Sequence, residues 1–175
     1  VRQNAREYHC VVVDDAFDWQ GISKPNIPLD ELIVYEAHAR GLTRGNPNLP
    51  DELRGTYAAL GHPTTIEHLK KIGVNAVELL PIHMFISEPR LMSMGLINYW
   101  GYNTLGYFCP EPRYAAAATT GRAVRDEFRD MVRALHAAGI EVIIDVTKRT
   151  GLRSVTVNGD ILIFFRRLYK SGNNE

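Results

Sequence analysis

The sequence predicts an α/β fold, a parallel sheet covered by helices. Short apolar runs at Leu32–Tyr35, Ala76–Leu80 and Val142–Ile144 read as strands buried on both faces. Two amphipathic stretches, one after Thr64 and one over Arg122–Ala138, separate those runs and supply the crossovers that parallel pairing requires. Long loops follow the first two runs, which places them at the strand ends where α/β folds bind ligands.

Each element has a local cause. Val11-Val12-Val13 is apolar and β-branched, and reads as a strand. Asp14–Trp19, Gly21, Pro25 and Pro28 then form a linker of turn formers and fixed φ angles. Leu32-Ile33-Val34-Tyr35 is the first strand of the sheet. Residues 44–63, rich in Gly, Pro and Asn, read as a loop. Thr64 or Thr65 suits a helix N-cap, Ile66, Leu69 and Ile72 share one face, and Gly73 is placed to end the helix. Ala76–Leu80 is the second strand and stops at Pro81. Residues 83–121 read as a second long excursion, holding most of the aromatic residues. Val124, Phe128, Met131, Val132 and Leu135 make the apolar stripe of the second helix, which Gly139 ends. Val142–Ile144 is the third strand, ending at Asp145. In the tail, Val155–Ile163 carries an Asn158-Gly159 hairpin signal, and no further helix pattern follows.

Composition narrows the function. Twenty basic residues balance twenty acidic ones among 175, so no bulk field draws nucleic acid or an anionic membrane, and a neutral partner is expected. Cys10 and Cys109 lack metal or redox spacing and read as buried thiols in a reducing compartment. No segment is apolar enough to span a bilayer, and residues 1–20 lack a secretory pattern, so a cytoplasmic location is expected, or a plastid in a plant or alga. No cofactor and no metal site is expected. His38 and His83 follow the first two strands, and Glu36 and Glu78 interrupt apolar runs. Arg113 is expected to pair with a nearby carboxylate.

Six stretches occur in an order that resembles the glycogen- and starch-debranching branch of the α-amylase superfamily (glycoside hydrolase family 13), the isoamylase and bacterial glycogen-debranching type. They are Val11–Trp19, Leu32–Thr43, Leu53–Tyr57, Ile72–His83, Asn98–Tyr114 and Met131–Val146. The resemblance implies the first three strands and two helices of a (β/α)8 TIM barrel. Residues 1–30 would be the end of an N-terminal β-sandwich and linker, 31–150 the barrel part, and 151–175 an unrelated tail with a β-hairpin. It also implies retaining hydrolysis of α-1,6-glucosidic bonds in glycogen, amylopectin or maltooligosaccharides. Tyr102 of Trp100-Gly101-Tyr102-Asn103 would be the sugar platform, with Trp100, Asn103, Asp145 and His83 as the other substrate-binding candidates.

Departures from the family pattern matter as much. Where the family reads Asp-Val-Val-Tyr-Asn-His, this chain reads Asp145-Val146-Thr147-Lys148-Arg149-Thr150, without the sugar-binding histidine. The family's nucleophile and acid/base follow strands four and five, beyond the resemblance, so no catalytic residue is assigned and the chain is expected to be a truncated, inactive piece. A non-catalytic glucan-binding or regulatory remnant, or an unrelated small α/β protein, stays open. Three strands cannot close a barrel, so the sheet would keep an exposed edge through which self-association is expected, and the tail 151–163 is expected to cover one edge as an added hairpin.

Overall fold

The computed structural model describes residues 12, 14–116 and 121–146, and the backbone of two strands at 154–157 and 161–165. Of the expected strand Val11–Val13 only Val12 is described, and it is exposed; Cys10, Lys148, Arg149, Thr150 and the Asn158-Gly159 turn lie outside the described residues.

Among the described residues, seven strands form two sheets. β1 (Val34–Ala37), β2 (Ala76–Leu79) and β5 (Glu141–Val146) are parallel, with Ala37 opposite Leu79 and Leu79 opposite Ile144. β3 (His83–Phe85) and β4 (Thr104–Pro110) make a separate antiparallel ribbon. β6 (Ser154–Val157) pairs antiparallel with β7 (Ile161–Phe165), and β7 pairs parallel with β5, giving the order β1-β2-β5-β7-β6. The β5 side of the sheet is therefore covered by the tail strands, in line with the expectation of an edge-covering hairpin. Among the described residues β1 pairs with β2 alone, and Val34 and Tyr35 are exposed on it.

The first strand starts two residues later than the apolar run suggests, because one side chain takes its backbone. Asn75 Oδ1 accepts the Ile33 N–H at 2.6 Å, and Asn75 Nδ2 donates to the Glu31 carbonyl at 2.8 Å. The ladder then begins at Val34.

Among the described residues, five α-helices join the strands. α1 (Gly41–Arg44) and α2 (Tyr57–Leu60) fall inside or beside the stretch read as loop. Each is a single turn, too short to show periodicity. α3 (Pro63–Lys71) is capped by His62, whose Nδ1 accepts the Thr64 N–H, rather than by Thr64 or Thr65. Ile72 follows its last turn and is exposed, and Gly73 (φ +80°) stops it as expected. α4 (Pro89–Ser93) lies in the second excursion. α5 (Gly121–Ala137) buries Val124, Phe128, Met131, Val132 and Leu135, which join Val77, Leu79, Val142 and Ile144 of the sheet in one core. Among the described residues no helix is long and apolar enough to cross a membrane.

A strap at 14–19 lies on the outer face of α5. Arg125 Nη2 donates to the Asp14 carbonyl at 2.7 Å and Arg133 Nη1 to that of Asp18 at 2.7 Å, while Arg129 and Arg133 lie over the Phe17 ring.

The start of α2 gives a first expected result. Thr56 Oγ1 accepts the Ala59 N–H and donates to the Leu53 carbonyl at 2.6 Å. Thr56→Ala is expected to cost about 1 kcal/mol, read as a lower urea midpoint at unchanged slope. An unaltered midpoint would show that the turn needs no cap.

Candidate functional site

The carboxyl ends of β1, β2 and β5 lie side by side because their registers align Ala37, Leu79 and Ile144. Beyond them come His38, the Leu80–His83 segment and Asp145. The 98–102 loop closes over these ends, and its conformation is fixed from within. Asn98 is buried: its N–H donates to Ser87 Oγ at 2.9 Å, its Nδ2 to Glu88 Oε1 at 3.2 Å, and its Oδ1 accepts the Gly101 N–H at 2.9 Å. Gly101 has φ +83°, and a Cβ there would lie 2.7 Å from the Pro81 carbonyl oxygen. Only glycine lets the loop come that close.

Tyr102 thereby reaches the third strand. Its hydroxyl donates to Asp145 Oδ2 at 2.7 Å, and Asp145 is buried. The pairing joins two residues 43 apart in sequence. The phenol edge is held by a carboxylate, which fixes the half-buried Tyr102 against the third strand. Trp100 is exposed, with edge contacts to Tyr99 at 5.6 Å and to His38 at 6.5 Å. Asn103 lies at the foot of β4, where its carbonyl accepts the Ile86 N–H.

His83 begins β3 and is 5% exposed, with its ring 6.1 Å from that of Tyr107. Burial drives its pKa down to about 4, opposed by a hydrogen bond to the Tyr107 backbone. The imidazole is neutral in the fold, whereas an unfolded histidine takes up a proton near pH 6.5. The unfolded state thus binds more protons between those values, and stability falls as pH drops through that window. The loss from this group approaches about 3 kcal/mol below pH 4. His83→Asn is expected to flatten the stability–pH curve between pH 6.5 and 4; an unchanged slope would place the proton uptake elsewhere.

The ribbon is braced from beneath by Glu111, which is 2% exposed. Glu111 Oε2 accepts the Phe85 N–H at 3.1 Å, and Oε1 accepts Arg113 Nε at 2.6 Å and the Arg113 N–H at 3.1 Å. This is the carboxylate partner expected for Arg113, and it raises the guanidinium pKa further. The guanidinium also covers the Phe85 ring at 4.1 Å. Tyr57, fully buried, donates its hydroxyl toward the carbonyls of Ile82 and Glu111, joining α2 to the strand ends. Burial raises its pKa well above 10, so it remains a donor. Glu127 of α5 accepts backbone N–H groups from Ala58 and Ala116. Sequence reasoning assigned Tyr57 and Glu127 no role; the Leu53–Tyr57 motif was the available signal for the first. Cys109, expected to be buried, is exposed on β4.

Comparison with known proteins accounts for these motifs. No protein-family model matches the chain. The glycogen debranching enzyme of Enterobacter sp. strain 638 is 57% identical over 136 residues, which cover 78% of this chain and 20% of that protein. Over these residues the chain is similar to one part of the glycogen debranching enzymes of glycoside hydrolase family 13. The Klebsiella pneumoniae glycogen debranching enzyme is likewise 57% identical, over 135 residues. The chain spans about a fifth of the length of the curated relatives it matches. Among solved structures, the pullulanase from Paenibacillus barengoltzii in complex with maltohexaose and α-cyclodextrin is similar, with a TM-score of 0.62 and 26% identity over 74% of this chain and 22% of that one. The type I pullulanase of Bacillus subtilis complexed with maltose gives 0.61 and 28%, over 78% and 20%. A mixed α/β fold shared with these pullulanases is thus established over the matched part of the chain.

Proposed function

We propose that this chain forms the sugar-contacting edge of a debranching glycoside hydrolase, with β1, β2 and β5 as the first three strands of a (β/α)8 barrel over residues 31–150. The observation that carries the reading is the Tyr102–Asp145 hydrogen bond at 2.7 Å, because it fixes the tyrosine of a family motif at the strand ends. A pyranose has an apolar C–H face that an aromatic ring can cover, while amide and carboxylate groups read its hydroxyls. Tyr102 is the platform. Trp100 supplies a second, exposed ring, and Asn103 and Asp145 supply polar groups beside it. His83 is buried as it stands and supports the wall of the site.

The ligand is a branched α-glucan or a maltooligosaccharide released from one. Pullulanases similar to this chain are described in complex with maltohexaose, maltotetraose and maltose, which supports that choice. Retaining cleavage needs two carboxyl groups about 5–5.5 Å apart. The family resemblance assigns neither of them to Asp145, so the 175-residue chain is expected to bind glucan without cleaving it.

Calorimetric titration with maltohexaose tests the binding. Tyr102→Ala is expected to weaken it about tenfold or more, as loss of one stacking face should. Equal binding by wild type and variant would remove Tyr102 from the site.

A further inference from the structure

The proposed site leaves His38 unused, although both of its ring nitrogens are engaged by backbone from two separate segments. Nδ1 accepts the N–H groups of Arg40 and Gly41, each at 3.0 Å. Nδ1 therefore carries no proton, and the ring hydrogen is on Nε2. Nε2–H donates to the Tyr99 carbonyl at 2.7 Å, 61 residues along the chain. The Tyr114 hydroxyl lies 3.2 Å from the same nitrogen. Stacking reinforces the tie: the Tyr99 ring lies 4.0 Å from the imidazole and is inclined by only 6°. Tyr99 also presses on the turn itself, since a Cβ at Gly41 would stand 2.8 Å from its hydroxyl.

We propose that His38 is the positioning residue of the Tyr99–Tyr102 loop, a neutral imidazole that ties the turn after β1 to the Tyr99 carbonyl and so sets where Trp100 and Tyr102 stand. A space-filling histidine would not need both nitrogens directed at backbone groups of different segments. That this placement serves glucan contact rests on the reading above; the tie itself does not. Protonation of Nδ1 would turn an acceptor toward two donors and break both bonds. Among the described residues, the titratable groups facing the ring are Arg40 on its own turn, Tyr99 and Tyr114, with Trp100 at its edge. None is a carboxylate. Burial and Arg40 hold the pKa below 6.5 despite the Tyr99 bond.

The two nitrogens can be tested separately in the full 175-residue chain. Asparagine places an oxygen where Nδ1 stands and keeps the turn; glutamine places an N–H near Nε2 and keeps the link to Tyr99. The readouts are Trp100 emission, with the Trp100→Phe spectrum subtracted to remove Trp19, and amide exchange at Arg40, Gly41 and Gly101. For His38→Asn a red-shifted Trp100 and roughly tenfold faster exchange at Gly101 are expected, with Arg40 and Gly41 still protected. For His38→Gln the pattern reverses. Wild-type Trp100 emission and Gly101 exchange in His38→Asn would overturn the proposal. Should that variant fail to fold, acid titration of the wild type decides. A Trp100 shift with a midpoint below 6.5, at constant far-UV dichroism and absent from His38→Gln, supports the tie. No shift at any pH at which the far-UV dichroism stays native overturns it. If wild type binds no maltohexaose, the glucan reading falls, and Trp100 emission and amide exchange still decide the role of His38.

Discussion

Glu111→Ala is expected to destabilise the chain by about 2–4 kcal/mol, from an orphaned buried N–H and the cavity left behind. The carboxylate is almost fully buried and serves three donors at once: the Phe85 N–H, the Arg113 N–H and Arg113 Nε. Removing it leaves a buried backbone N–H without its acceptor and a guanidinium without its counter-charge. An exposed ion pair would be worth little, and Arg113 is about a third exposed. The larger part of the cost therefore comes from Phe85 and from the cavity at Glu111, not from the charge pair. Glu111→Gln separates these parts. It keeps one acceptor oxygen and the volume, so it should retain roughly half of the stability that alanine loses. Urea unfolding of the two variants checks this. Equal midpoints for both would assign the whole effect to charge.

Gly101→Ala is the second large effect, expected at about 4 kcal/mol. A left-handed φ of +83° costs an alanine roughly 1–2 kcal/mol. The new methyl would also stand 2.7 Å from the Pro81 carbonyl oxygen and 3.2 Å from Phe85 Cε1. Overlap with a rigid neighbour adds roughly 1–3 kcal/mol. Pro81 is buried between β2 and β3 and cannot retreat, so the loop must move instead. The Tyr102–Asp145 bond should then break. Chemical shifts of Tyr102 and Asp145 would report it, and native shifts in a stable variant would show that the loop tolerates the methyl.

Much of the fold was legible because three signals were strong. β2 and β5 are continuous apolar runs between turn formers, and α5 carries a five-residue apolar stripe that is buried as its spacing requires. β1 was displaced by two residues because the deciding interaction, Asn75 with Glu31 and Ile33, spans more than forty positions. α1 and α2 are single turns, and the ribbon hides in residues 83–110 because β3 has three residues and its pairing with β4 shifts register twice. The tail showed a local hairpin signal, but nothing local could indicate that β7 would add in parallel to β5. At the site, Tyr102 and Asp145 were each singled out from motifs, while their contact follows from the Gly101 turn. His38 was visible only as a lone histidine after a strand; its two-sided engagement needs the loop 61 residues later.

The most direct test is release of reducing ends from glycogen by the purified 175-residue chain, run beside maltohexaose titration. Binding that depends on Tyr102, with no release of reducing ends, is the expected result. Clear release abolished by Asp145→Asn would contradict it, because Asp145 would then belong to a working catalytic pair.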